Sequence, residues 1–523
     1  SRSLGRHTPR LCHVILVIPS ESNSMRPADD TESLLSSTAV LVTVAPRRAI
    51  FWAMVNTLKS VLGTGLLAMP WAFLQMSSHL LGAMTLCTLL GVWSCYTMLL
   101  LYESAVLAWP AASGYSELVN TALGSSGGLL CAINLVLHQV LCVASYLVFI
   151  GDTLQDVLGG SSAAITTAAA VPVVFLCWLK DVRALGPASA IGTAALLIAL
   201  CLVVQEACMP SLAPHPGFGF TQLPVGMAAP GRMLRGQRRH GGGAVAREGA
   251  SFSAFGAFAG ITTFTFCGHD TVLPVVLSFG VSHPRHAPYG RVVLVMAAIA
   301  IPAVLAFGIA TMGCLGEEFV KKNILLSVHS RAANGLKLLM AGAVVCTSAL
   351  KMFPAFDVCE AALGLSERAD VPRPDGSDST IEPPAEAYRV RLSRLALRSA
   401  LVLTALALAL VCPDFEFITA FVGAFCNALI CFVLPPLMYV ALMKSKSSRG
   451  APVISLCAHA LLAAVGILLL IVGTLSVISE KAARVLDAQP LRPQDRTFWM
   501  PDAGGEWIPA EGRTWEAVAA DPH

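Results

Sequence analysis

The chain has 523 residues, of which 55% are hydrophobic and only 13% charged, with a formal net charge of +3. A soluble globular protein carries roughly twice that charged fraction, so an ordinary water-soluble fold is excluded, and the small positive surplus does not point to nucleic acid. The 16 cysteines are scattered through apolar runs without a CxxC pair, so neither a zinc motif nor a redox motif is indicated and no metal is expected.

In chain order, residues 1–48 read as a polar, disordered tail; the apolar stretch 11–19 is too short to span a bilayer. A span needs about 20 mostly apolar residues. Eleven stretches qualify: 50–73, 79–104, 128–151, 162–179, 185–206, 252–278, 292–315, 334–360, 393–412, 416–442 and 453–478. Residues 49–478 are therefore expected to form one all-α transmembrane domain with long loops at 207–251 and 361–392. Residues 479–523 follow as a polar tail. Loop 207–251 carries Arg232, Arg235, Arg238, Arg239 and Arg247 among glycines, against the charge pattern of the other loops.

Short loops rich in Lys and Arg face the cytoplasm. An N-terminus in the cytoplasm puts Arg47 and Arg48 there, with Lys180, Arg183, Arg285, Arg291, Arg389, Arg391, Arg394, Lys444, Lys446 and Arg449. The odd number of spans then puts the C-terminus on the other side.

The first and sixth stretches are interrupted near mid-membrane depth, at Gly63-Thr64-Gly65 and at Cys267-Gly268-His269-Asp270. Freed N–H and C=O groups find no water in hydrocarbon, so such breaks survive only where they line an enclosed cavity. A matched pair in two halves of a chain marks a transporter's substrate site. Spans 1–5 and 6–10 then read as a 5+5 inverted repeat, with span 11 appended.

Gly63 and Gly65 allow backbone conformations that a Cβ disfavours, and N–H groups freed at the start of the second half-helix attract a carboxylate. Carbonyls near Leu62 and Phe266 can accept from an ammonium group. Two opposed half-helix ends thus suit a zwitterion such as an amino acid.

Lys59 lies nine residues after Ile50, about 14 Å deep at 1.5 Å per residue, where a charge is costly and usually functional. It reads either as a structural counter-ion or as a coupling group. His269 can relay protons, and Asp270 is able to pair with it or with Lys59; both also suit a purely structural role as caps on exposed backbone. Thr347 and Ser348 offer hydroxyls to a coupling cation, although such residues commonly bond their own helix. Lys351 is unusual at its depth, His138 is a weaker candidate, and Glu103 is read as interfacial.

Several motifs stand in a familiar order: KSVLGTGLLAMP at Lys59–Pro70, QVLCVASYLVFIGDTLQ at Gln139–Gln155, LKMFPAFDVCE in span 8, and FVGAFCNALICFVLPPL in span 10. On these the chain resembles the amino acid/auxin permease family of the amino acid–polyamine–organocation superfamily, over roughly residues 50–478. The likeness is to its proton-coupled and vacuolar amino acid transporters. The resemblance implies a LeuT-type fold and a backbone substrate site at Gly63, Thr64 and Gly65. It also implies walls at Tyr146, Phe264 and Phe266. Proton-coupled members have Glu where Cys267 stands, and Cys267 joins the expected substrate-binding set. The run from Cys267 to Pro274 is instead similar to sodium-coupled neutral amino acid transporters, which place a His at the position of His269.

The expectation is a multi-pass transporter of small neutral amino acids, with no catalytic residues, working by alternating access. It is coupled to protons rather than sodium through Lys59, His269, Asp270, Thr347 and Ser348, and needs no cofactor. Its partners are the amino acid and the bilayer, without nucleic acid; the oligomeric state is left open, a monomer being compatible. The membrane is vacuolar or lysosomal, or else the plasma membrane. Sodium coupling, or an amino-acid sensor with little transport, stays open.

Overall fold

The computed structural model describes residues 47–110, 114–179, 186–208, 252–279, 281, 283–315, 320–328, 330–365, 384–446, 452–487, 499–501 and 507–509. The N-terminal tail up to residue 46, most of loop 207–251 with its arginines, and the middle of loop 361–392 lie outside them. The chain divides into two compact units, residues 1–477 and 478–523.

The first unit is helical. Its elements are α1 (Arg47–Val61), α2 (Met69–Gln75), α3 (Leu80–Ala108), α4 (Tyr115–Leu158), α5 (Ser162–Cys177), α6 (Gly186–Cys208), α7 (Phe252–Thr265), α8 (Val272–Ser278), α9 (Tyr289–Leu315), α10 (Arg331–Ala362), α11 (Pro384–Val411), α12 (Phe415–Phe421), α13 (Leu434–Lys446) and α14 (Val453–Asp487). A π-helical segment, Val422–Val433, joins α12 to α13. Among the described residues, eight helical stretches are long and apolar enough to cross a membrane, while α5 and Ala194–Gln205 of α6 are shorter apolar helices. The second unit holds the end of α14 and an antiparallel pair, β1 (Trp499–Pro501) with β2 (Trp507–Pro509).

The helices follow the apolar stretches, with differences at some ends. α4 begins at Tyr115 rather than 128, because a short helix precedes Gly124, whose φ of 77° breaks the regular geometry. A φ in that region favours glycine. α14 runs to Asp487, past the expected end at 478, and α11 begins at Pro384, which shortens the preceding loop.

Burial separates the centre from the periphery. In the most apolar window of α4, 78% of residues are buried, and for Phe415–Ser445 the figure is 83%, against 22% for Tyr388–Val411. α4 and the α12–α13 rod are thus the core, and α11 lies at the periphery with an apolar exposed surface. Leu461, Leu468, Ile471 and Leu475 of α14 are exposed, which gives that helix an apolar outer face. α10 packs along α4 and α6, and α7 packs on the π-helical segment. There the backbones touch. A Cβ on Gly423 would lie 1.8 Å from the Gly260 carbonyl oxygen, and one on Gly260 would lie 2.2 Å from that of Ala420.

The π-helical segment explains a distant side chain. Leu434 N–H bonds the Leu429 carbonyl, five residues back, and the next residues are Pro435 and Pro436, which have no N–H. The Ile430 carbonyl therefore has no backbone donor, and the buried Tyr115 hydroxyl donates to it at 2.7 Å. Asn134 likewise donates to the Cys426 carbonyl at 3.1 Å.

Polar clusters close both ends of α10. At its N-terminal end the fully buried Lys337 ammonium pairs with Asp156 at 2.6 Å and donates to the Val328 carbonyl. Nearby, Lys322 pairs with Asp414 and Glu416. Burial alone would lower the lysine pKa, but the Glu416 and Asp414 carboxylates outweigh it and raise it above the ordinary value. At the other end Glu360 accepts from Arg394 and Arg398, at 2.8 and 2.7 Å. Arg398 also donates to the carbonyls of Cys177 and Leu179, satisfying the C-terminus of α5.

Candidate substrate and coupling site

Both expected interruptions are real departures from α-helix. α1 stops at Val61, Gly63 is extended (φ −101°, ψ −159°), and a 3-10 helix at Thr64–Ala68 leads into α2. Leu66 N–H is taken by the Gly63 carbonyl at 3.1 Å. The N–H groups of Thr64 and Gly65 therefore precede the hydrogen bonds of their own helix. In the second break α7 stops at Thr265, Gly268 is non-helical, and a 3-10 turn at His269–Thr271 leads into α8.

The two breaks lie against each other. A Cβ on Gly65 would meet Phe264 at 2.7 Å and the Thr265 hydroxyl at 2.8 Å, and one on Gly268 would meet the Ser60 hydroxyl at 2.6 Å. Only glycine permits this approach. Gly63 differs: nothing lies within 4 Å of where its Cβ would point, so the first break opens onto space there. The buried Tyr146 side chain of α4 reaches the Thr64 side chain, whose hydroxyl lacks a hydrogen-bond partner of good geometry.

Phe264 is half-buried against Gly65. Phe266 is 1% exposed and its ring tip faces Gly91 of α3. Its carbonyl, expected to be open to an ammonium group, accepts from Ser94 at 2.7 Å. α3 thus satisfies part of the second break.

Asp270 pairs with neither His269 nor Lys59 as its main partner. Its Oδ2 is 3.0 Å from the Lys351 ammonium and accepts from Gln139 of α4 at 3.4 Å. His269 is fully buried, with Nε2 2.9 Å from the Thr97 hydroxyl. Lys59 sits in the last turn of α1, half-buried and within electrostatic reach of Lys351. Thr347 and Ser348 spend their hydroxyl protons on the carbonyls of Ala343 and Val344. Cys267 Sγ lies 3.3 Å from Cys431 Sγ of the π-helical segment.

The interior between the breaks, α4 and α10 holds buried polar atoms without protein partners: His138 Nδ1, Gln139 Oε1, Asp270 Oδ1 and His269 Nδ1. Buried polar groups are normally hydrogen-bonded, so unmet atoms gathered around two helix breaks suit a polar guest or water.

Several of these contributors escape sequence reading. Lys351 announces itself as a charge in an apolar helix, but its partner lies 81 residues away. Ser94 and Thr97 carry no signal beyond being small polar residues. Cys431 is one cysteine among many.

The family of transmembrane amino acid transporter proteins matches residues 48–479. Amino acid transporter AVT1B of Arabidopsis thaliana is 22% identical over 82% of this chain and 70% of its own length. Amino acid transporter AVT1C of the same plant is 23% identical over 92% of this chain and 78% of its own. A putative sodium-coupled neutral amino acid transporter 11 of Bos taurus is 27% identical over 38% of this chain and 43% of its own.

Proposed function

Because the chain belongs to the transmembrane amino acid transporter family, we propose that it is a secondary active transporter of small neutral amino acids, coupled to protons and working by alternating access. Relatives along most of its length are named amino acid transporters, and the family is one of transporters rather than enzymes. The chain is a multi-pass membrane protein, with eight helical stretches of spanning length among the described residues. Counting α5, α6 and the interrupted α7–α8 gives the proposed eleven spans, as a LeuT-type 5+5 inverted repeat plus one helix. The basic short loops support a cytoplasmic N-terminus.

The observation that carries the reading is the apposition of the two breaks, with open space at Gly63 beside it. The substrate carboxylate lies at the Thr64 and Gly65 N–H groups, and no basic side chain is needed to orient it. Tyr146 and Phe264 flank the substrate, whose ammonium group turns toward the carbonyl end of α1 and the free oxygen of Asp270. Phe266, packed on α3, supports the wall from behind, and Cys267 bounds the site beside it. Spans 1, 2, 6 and 7 rock against the rest to expose the site to each side in turn.

Proton coupling is supported by charge. Lys351 is a cation paired with Asp270, and Lys59 lies within electrostatic reach of it. A further cation meets repulsion from the two lysines at short range. Lys59 and His269 are the groups whose protonation answers the gradient. Sodium coupling is the second reading, favoured by the printed name of the cattle relative. The test is uptake of a panel of labelled amino acids into proteoliposomes, with sodium and pH gradients imposed separately. Uptake driven by inward acid without sodium supports proton coupling. Uptake that requires sodium at every pH replaces it with the second reading.

A further inference from the structure

The second break and the π-helical segment together hold a cluster of metal-ligating side chains. Cys267, His269 and Cys431 are buried, and one ligand atom from each lies within 4.8 Å of the others. The two thiol sulfurs are 3.3 Å apart. In a tetrahedral site with Zn–S near 2.3 Å and Zn–N near 2.0–2.1 Å, ligand atoms stand about 3.3–3.8 Å from one another. Movement of an ångström or so brings the three to that spacing.

The tautomer of His269 is set by its neighbour. Thr97 has one hydroxyl proton, and the carbonyls of Trp93 and Ser94 both lie 3.0 Å from its oxygen. With the proton given to the backbone, Thr97 accepts from His269, so Nε2 carries the hydrogen. Nδ1 is left with the lone pair and makes no hydrogen bond of good geometry, at a residue with no exposed surface. A ring nitrogen held by an outer partner, with the other nitrogen free, is the arrangement of a metal-binding histidine.

We propose that Cys267, His269 and Cys431 form a binding site for a thiophilic divalent cation of the zinc and cadmium class. On binding, both thiols lose their protons to solvent and the two thiolates neutralise the ion, so no net charge is added to the buried site. The fourth position is left for water or a substrate group. Occupied, the site ties the second break to the π-helical segment and opposes their relative motion. The proposal stands apart from the choice of amino acid or coupling ion, since binding is read without transport.

The test is titration of the purified full-length chain, in detergent with a phosphine reductant, with cadmium and then zinc. Sulfur-to-cadmium charge-transfer absorbance should rise and saturate at one ion per chain, and the thermal midpoint should rise with it. Cys267→Ser and Cys431→Ser should each remove the saturable absorbance. Cys142→Ser, at a buried cysteine outside the cluster, should keep it. Thr97→Val keeps all three ligands and should weaken binding about 10–100-fold, so the claim stays testable if a cysteine variant misfolds. Absence of saturable absorbance in the parent chain overturns the site. So does its survival in both cysteine variants, or an unchanged affinity in Thr97→Val.

Discussion

The Asp270 carboxylate meets the Lys351 ammonium at 3.0 Å, tying the second helix break to the middle of α10. Asp270 is 7% exposed at its side chain and Lys351 22%, so the pair is largely removed from water. Removing one partner of a buried pair strands the other charge, at about 3–5 kcal/mol, whereas replacing both is often neutral. Lys351→Ala should therefore destabilise the protein by about 3 kcal/mol. The double change Asp270→Asn with Lys351→Met should recover most of that loss. Thermal unfolding in one detergent compares them, and a single variant as stable as the parent rules out the balancing role.

Gly63 and Gly65 are two residues apart yet should respond oppositely. Gly63 has an ordinary φ and open space around its missing Cβ, so Gly63→Leu should fold and lose transport by filling the carboxylate site. Gly65→Ala pushes a methyl into Phe264 and Thr265. Overpacking of this kind costs about 1–3 kcal/mol. Stability and uptake measured side by side separate the two, and robust uptake by a folded Gly63→Leu variant removes the site assignment.

Gly423→Ala is expected to be among the most damaging single changes. Its methyl would stand 1.8 Å from the Gly260 carbonyl oxygen, and neither backbone can yield without moving a helix. The expected loss is at least about 3 kcal/mol, the upper end of overpacking penalties. Size-exclusion behaviour and unfolding temperature report it.

Tyr115→Phe removes the donor to the Ile430 carbonyl. A buried acceptor left unmet costs about 1–3 kcal/mol. The loss should appear in unfolding with little change in the substrate concentration giving half-maximal uptake.

Much of the helical framework was legible because a bilayer imposes one length on every span and forbids polar backbone outside a cavity. Gly63-Thr64-Gly65 and Gly268 stood out for that reason. The partners of the breaks were not legible. Asp270 to Lys351 and Cys267 to Cys431 are meetings of distant segments, fixed by how α10 and the π-helical segment pack against the breaks. The widened turns of Val422–Val433 were hidden too, since FVGAFCNALICFV is apolar but for Asn427 and its pattern does not reveal the helical period. Thr347 and Ser348 give their hydroxyl protons to their own helix, which spacing alone does not reveal and which leaves their oxygen lone pairs open.

The meeting of Gly260 and Gly423 has a mechanical consequence. Helices that interlock through side chains must lift one ridge out of another's groove before they can tilt. At this crossing two bare main chains press together, and the glycines offer no side-chain ridge to disengage. Such a bearing lets one rod swing on the other while the distance between their axes stays fixed. A swing centred there moves the ends of α7 through the widest arcs and leaves the fulcrum almost still.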